Sequence, residues 1–261
     1  NSSLFMKLIR SIILIINYKT IIVTLLSLAS TWFCSYIGLS AEFPLTLVGI
    51  AIVFPVVFSI SSAYQRREKA LGQLADLKAH SHALFLASKD WVDPPNKDFQ
   101  MEVKNQLLSV FTALKHFFTA DQKEAPKMEE TIFLRLSELS ALLMQFKALG
   151  LQSGEQSRVS QYISKIESSI ENMKVIFYYR TPITLRAYSR VFIYSFPILY
   201  GPYFVYVSEH YSHGLEYMMP VLFSFILVSL GNIQDHLENP FDQVGEDDIK
   251  FDVEQYAKMM D

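Results

Sequence analysis

Thr46, Ile50, Phe54, Phe58 and Ser62 are spaced by four, so they share a helix face that drifts slowly about the axis. Polar ends around an apolar middle suit a passage with wet mouths and a dry neck. A narrow apolar constriction expels water, and an ion crossing it loses hydration. Phenylalanine edges carry partial positive charge, which eases anion passage. Packing against lipid or a neighbouring helix gives the same spacing, so the stripe alone leaves both readings open. A helix tilt, or a bend at Pro55, can hold the stripe toward one line. No charged side chain lies between Phe43 and Gln65, so that stretch carries no charged filter. Arg66 and Arg67 follow it. They would concentrate anions if they faced a lumen, and anchoring at a positive membrane face explains them equally.

Other reactive chemistry is thin. His80 and His82 stand two apart on an expected helix and do not share a face. His210 and His213 fall in an expected short loop, where metal binding or titration near neutrality competes with plain solvation. Cys34 is the single cysteine, so redox compartment is not readable. Its apolar setting suits a packed or lipid-facing thiol. There is no phosphate-cradling glycine loop, no His-Glu-x-x-His and no cysteine pair. Neither an enzyme's catalytic geometry nor a cofactor is implied. The net charge of -3 gives no basic excess for nucleic acid.

The elements that must position the stripe read as membrane helices. Hydrophobic residues make up 51% and charged ones 19%, and the mean hydropathy is +0.21. A spanning helix needs about 20 mostly apolar residues, because the hydrocarbon core is about 30 Å thick and each residue rises about 1.5 Å. Residues 20–41, 43–65, 191–208 and 217–234 carry no charge, which predicts four spans. Tyr200, Tyr203, Tyr206, Tyr211 and Tyr217 suit a membrane interface. Lys7, Arg10 and Lys19 precede the first span, residues 66–190 hold most other cations, and Lys250 and Lys258 follow. The connections 40–42 and 209–216 have none. Both termini and the middle region then share the positive, cytosolic side, as an even number of spans requires. Residues 4–16 read as an interfacial helix that turns upward near 17–19. The chain starts on Asn1, which leaves a preceding targeting segment open.

Between Arg66 and Arg190 the hydrophobicity becomes periodic. Val103, Leu107, Val110, Leu114 and Phe117 alternate steps of four and three, as do Ile132, Leu136, Leu139, Leu143 and Phe146. Val159, Ile163, Ile166, Ile170 and Met173 do the same. Each series predicts one apolar stripe on a bundle helix. A further helix continues from the second span through Leu71, Leu74, Leu77 and Leu84. Asp93-Pro94-Pro95-Asn96, Ala125-Pro126, Gly150 and Ser153-Gly154 mark the breaks. The expected fold is all-α: 1–65 holds the interfacial helix and spans one and two, 66–187 a cytosolic bundle, 188–235 spans three and four, and 236–261 an acidic segment and helix.

After the last span stands Glu238-Asn239-Pro240-Phe241, then Asp242-Gln243-Val244-Gly245-Glu246-Asp247-Asp248. Asn-Pro-Phe followed by acidic residues at that place resembles the bestrophin family, in a form most like its bacterial and plant branches. Phe43-Pro44-Leu45-Thr46-Leu47-Val48-Gly49-Ile50-Ala51-Ile52 is similar to the entry of the family's pore helix. Arg180-Thr181-Pro182-Ile183 with Tyr188 is similar to its Thr-Pro…Tyr element before the third span. Two departures stand out: Ser59-Ile60-Ser61 where the family often shows Arg-Asn-Asn, and the tripeptide Asp242-Gln243-Val244 before the glycine and acidic run.

The resemblance implies a homopentameric channel in a lipid bilayer, with the second span lining a central pore. Ile50, Phe54 and Phe58 would form its three-ring hydrophobic neck, and Thr46 and Ser62 its mouths. Family members mostly pass chloride and other small anions, while some bacterial relatives favour cations, and the sequence leaves the sign open. Animal members hold calcium in a clasp on the acidic run. The corresponding candidates are Asp242, Glu246, Asp247 and Asp248, with Asn239 and Asp252 nearby, since calcium takes several hard oxygen ligands. The tripeptide alters the spacing, and Asp247 and Asp248 suit equally the N-terminus of a helix over 249–260. The rival reading is a non-conducting scaffold whose bundle binds a partner protein. A scaffold does not need Ile50, Phe54 and Phe58 to converge on one axis.

Overall fold

The computed structural model describes residues 16–120, 123–243 and 248–260. Among them the chain is helix and loop, with no strand. The expected interfacial helix over 4–16 lies outside the described residues but for its last position. The helices are α1 (Tyr18–Tyr36), α2 (Leu45–Asp90), α3 (Lys97–Thr119), α4 (Ala125–Leu143), α5 (Gln145–Ala148), α6 (Ser153–Tyr178), α7 (Ile183–Leu199), α8 (Gly201–His210), α9 (Leu215–Glu238) and α10 (Val253–Lys258). Contacts divide them into two units, 1–65 with 180–238 and 66–179 with 239–261.

Local chemistry sets the ends. The Asn17 side chain accepts from the Lys19 N–H and opens α1, and Asn96 does the same for α3 through Phe99 N–H at 3.0 Å. Pro126 sits in the first turn of α4, where no N–H is needed. Gly150 takes φ +87 after α5, a conformation that costs a residue without Cβ little.

The second unit is the helical bundle. Val103, Leu107, Val110, Leu114 and Phe117 of α3 are buried, as are Val159, Ile166, Ile170 and Met173 of α6, while Ile163 is half-buried. Leu74, Leu77 and Leu84 of α2 join the same core. The stripe Ile132–Phe146 is also buried, but not on one helix: α4 ends at Leu143, and Phe146 comes from α5 after a break at Met144. Lys174 is buried between α4 and α6. Its ammonium pairs with Glu129 and, at 2.6 Å, with Glu171, and lies 4.7 Å from the Phe133 ring centroid. The Tyr178 hydroxyl donates to Glu129 at 3.0 Å. Burial would raise the Glu129 carboxyl, but the hydrogen bonds from Lys174 and Tyr178 hold it below its ordinary value. Burial, then the Glu129 carboxylate, pushes Tyr178 up to about 12.

The C-terminal helix corrects an expectation. It spans Val253–Lys258, not 249–260, and its N-cap is Asp252, which accepts from Gln255 N–H at 2.9 Å. Residues 249–251 stay non-helical because Ile249 N–H bonds the Pro240 carbonyl at 2.8 Å and because Ile249 and Phe251 are buried in the bundle core. Asp247 lies outside the described residues.

In the first unit, α1, α7, α8 and α9 pack on one another. Their core includes Val23, Ile193, Phe196, Phe204 and Val228, joined by Ile52 and Val56 of α2. The run 191–208, expected as one continuous helix, is divided: α7 and α8 meet at a 45° bend. Pro202 has no N–H to give the Ile198 carbonyl, and the turn at Tyr200 takes Gly201 N–H away from Pro197. Two hydroxyls of α1 supply the missing donors, Ser27 to the Pro197 carbonyl at 2.6 Å and Ser30 to the Ile198 carbonyl at 2.7 Å. In an apolar surrounding those carbonyls would otherwise be costly to bury.

Among the described residues, two helical segments are long and apolar enough to cross a membrane, Gly49–Asp90 and Leu215–Glu238, and α7 with α8 adds a third if the bent pair is one span. Helix α1 falls outside that set. It begins with Tyr18-Lys19 and carries Thr20, Thr24, Ser27, Ser30, Thr31 and Ser35.

Helix α1 passes so near the bend that a Cβ on Gly201 would stand 2.8 Å from Ser30 Oγ and 3.2 Å from the Ser30 carbonyl carbon. Gly201→Ala is therefore expected to lower stability by about 1–3 kcal/mol, the usual effect of overpacking. Thermal unfolding of the purified protein checks this. Gly154→Ala, in helix α6 with nothing within 4 Å of its Cβ, is the control expected to hold the midpoint or raise it slightly.

Candidate pore-lining face

Helix α2 presents two different faces within the first unit. Ile52 and Val56 are each 1% exposed and Ser59 is fully buried. Ile50, Phe54 and Phe58 are 49%, 56% and 63% exposed. Large apolar side chains do not stay half exposed over three turns without something to cover them. The exposed face is broader than the four-spaced stripe, because Val53 and Val57 lie on it too. Thr46 is exposed and Ser62 half-buried, so the stripe keeps a polar residue at each end. The Phe54 and Phe58 rings sit 6.1 Å apart, tilted by 31°. Thr46, Gly49, Ile50, Val53 and Phe54 line a shallow groove of about 350 Å³.

Pro55 lies inside α2. It has no N–H for the carbonyl four residues back, which belongs to Ala51. The Tyr188 hydroxyl of α7 donates to that carbonyl at 3.3 Å. The tyrosine of the Thr-Pro…Tyr element thus supplies the hydrogen bond that the proline removes, one turn from Phe54. Thr181 and Pro182 set the start of α7, with Leu185 and Arg186 N–H bonding the Pro182 carbonyl. Tyr188→Phe keeps the ring and deletes the donor. It is expected to cost about 1 kcal/mol of stability, read as a lowered unfolding midpoint; Tyr188→Trp, which restores a donor with different reach, is expected to recover less than half of it.

The residues of Glu238-Asn239-Pro240-Phe241 serve both units. In the first, the buried Glu238 carboxylate accepts from Thr181 N–H at 2.8 Å, with Arg186 Nε 3.8 Å away. In the second, Asn239 Oδ1 accepts from Phe241 N–H at 3.4 Å. That local turn delivers the fully buried Phe241 ring onto Phe118, 4.4 Å away and nearly parallel. Gln243 then donates to the Ile249 carbonyl at 2.8 Å.

Arg66 and Arg67 have protein partners. Arg66 donates to the Ile176 carbonyl at the end of α6, at 2.6 Å, and Arg67 pairs with Glu68 at 2.7 Å. The end of α6 favours Arg66 through its carbonyls and dipole. Of the calcium candidates, Glu246 and Asp247 lie outside the described residues, while Asp242 and Asp248 flank that gap. Among the described residues no group of three His, Cys, Asp or Glu side chains could hold a metal. His80 stacks on Tyr162 at 6.5 Å, His210 shares a hydrogen bond with the Tyr206 carbonyl, and Cys34 is buried. Sequence reasoning missed the roles of Ser27, Ser30 and Tyr188. The available signal was each helix-breaking proline, which demands a donor from elsewhere.

No family model and no curated protein matches the sequence. Solved structures do match. A bacterial bestrophin homolog from Klebsiella pneumoniae aligns with 93% of this chain and 96% of its own, at 16% identity and a TM-score of 0.78. A point variant of that homolog aligns over the same shares at 14% identity and 0.78. A structure described only as a membrane protein gives 14%, the same shares and 0.78. The fold of this chain is that of the bacterial bestrophin homologs.

Proposed function

We propose that this chain, with the fold of bacterial bestrophin homologs, is the subunit of a bestrophin-like ion channel. It passes chloride or other small anions through a homopentameric pore whose neck is Ile50, Phe54 and Phe58. Thr46 and Ser62 stand at the mouths. In this reading the chain crosses the membrane four times: α1 is a polar first span whose Ser27 and Ser30 hydroxyls are spent on carbonyls of α7, α7 and α8 are one broken span, and both termini lie on the cytosolic side. The observation that carries it is the uncovered apolar face of α2, opposite a face packed at 1% exposure. Copies of that face around an axis enclose a dry, narrow passage, where an ion's lost hydration sets the barrier and gating follows dewetting. Aromatic edges facing the axis favour an anion.

The test is ionic current through the purified protein in a planar bilayer under a salt gradient. The expected reversal potential lies toward that of chloride. A potential at the cation's value would keep the pore and overturn the anion assignment. Silence from an intact oligomer, with and without calcium, would favour the scaffold.

A further inference from the structure

Lys19 and Arg190 stand together at the start of α1 and in α7, both held by Asp235 of α9. Lys19 Nζ is 3.1 Å from one carboxylate oxygen and Arg190 Nη2 is 2.7 Å from the other. One carboxylate fixes two cations here, and each keeps N–H donors beyond the one it spends: an ammonium has three and a guanidinium five. Arg190 remains half exposed and Lys19 a third exposed. Among the described residues, Lys19 and Arg190 face one carboxylate, that of Asp235, and Arg186 and Glu238 lie 3.8 Å apart.

These two cations close one end of a groove of about 490 Å³ whose other walls include Ile22, Leu26, Tyr194 and Ile198. Ile22 and Leu26 are each 50% exposed. From Lys19 to Leu26 the helix rises about 10 Å, so an apolar strip runs along the axis directly from a fixed positive head. We infer that this groove binds a phospholipid with an anionic headgroup, its phosphate on Lys19 and Arg190 and one acyl chain along Ile22, Leu26 and Ile198. The inference rests on the first unit being embedded in a membrane. A free phosphate would satisfy the cations but leave the apolar strip bare. A zwitterionic lipid would satisfy the strip but add a cation beside two others. Anionic lipids are drawn to basic residues at a membrane face by electrostatic attraction.

The test is native mass spectrometry of the full chain in detergent, with equal amounts of dioleoyl phosphatidylglycerol and dioleoyl phosphatidylcholine. The wild type is expected to retain several-fold more phosphatidylglycerol. The double variant Lys19→Gln with Arg190→Gln is expected to lose that preference. Asp235→Asn, which keeps both cations and removes their neutraliser, is expected to increase it, and it decides the matter if the double variant fails to assemble. Equal retention of the two lipids by the wild type would overturn the inference, as would a preference unchanged in the double variant or lowered by Asp235→Asn. Displacement of the lipid by inorganic phosphate in the low millimolar range would assign the cations to a free anion and overturn it as well. Bound lipid is read without any current, so a silent channel and an absent lipid site are separate failures.

Discussion

Replacing Phe54 and Phe58 together by alanine is expected to raise the current per channel by roughly tenfold, which corresponds to about 1.4 kcal/mol off the barrier at the neck. The physical reason is local. Each substitution removes a ring from every copy around the axis, widens the constriction and lets water stay within it. The same change should cost little stability, because both rings are more than half exposed in the chain and their loss leaves no cavity. Ile52→Ala is the contrasting substitution on the same helix. Ile52 is 1% exposed and sits in the core of its unit, so its loss is expected to cost about 2–5 kcal/mol and to leave the conductance of surviving channels near the wild-type value. Single-channel recording beside thermal unfolding separates the two faces. A neck double variant that unfolds early and conducts normally would reverse their assignment.

The second large effect is expected at Phe241. Its ring is fully buried in the bundle core, stacked on Phe118 at 4.4 Å and 6.2 Å from Phe177. Phe241→Ala removes a core aromatic where the chain has no slack to collapse, since Pro240 is tied by its carbonyl to Ile249 N–H. The expected loss is about 3–5 kcal/mol, seen as a lower unfolding midpoint and as early proteolysis of 239–260. Phe241→Leu retains most of the buried apolar volume and should lose less than half as much. The Asn-Pro-Phe sequence is thus a plug for the bundle. Asn239 makes the turn, Pro240 offers its carbonyl, and Phe241 fills the core.

Much of this was legible in the sequence for a plain reason: helical periodicity survives wherever one face is buried in protein. The stripes through Val103, Ile132 and Val159 each mark a buried face. The all-α class followed from them. The breaks inside apolar stretches were not legible in the same way. Residues 191–208 read as one uninterrupted run, yet the chain bends by 45° there, because Pro202 withholds a donor and serines on a distant helix replace it. Hydropathy registers neither fact. The same holds at Pro55, where the compensating donor, Tyr188, is 137 residues from Ala51. The C-terminal helix was misplaced for a related reason. Asp247 and Asp248 look like capping residues, but tertiary contacts of Ile249 and Phe251 hold that stretch out of helix and leave the cap to Asp252. The four-spaced stripe of α2 was visible at once. Spacing says which residues share a face; it does not say whether that face meets water, lipid or protein.

Substituted-cysteine accessibility decides what the α2 face meets. The sole native thiol, Cys34, is buried, so a new cysteine at position 54 or 58 reports alone. Phe54→Cys and Phe58→Cys channels are recorded in a planar bilayer while a charged, membrane-impermeant methanethiosulfonate is added to the bath. A pore neck at these positions predicts that the reagent changes the current irreversibly in both variants and leaves the wild type untouched. Cysteines at both positions that react only with a lipid-soluble maleimide, with the current unaltered by the charged reagent, would place this face against lipid and contradict the pore.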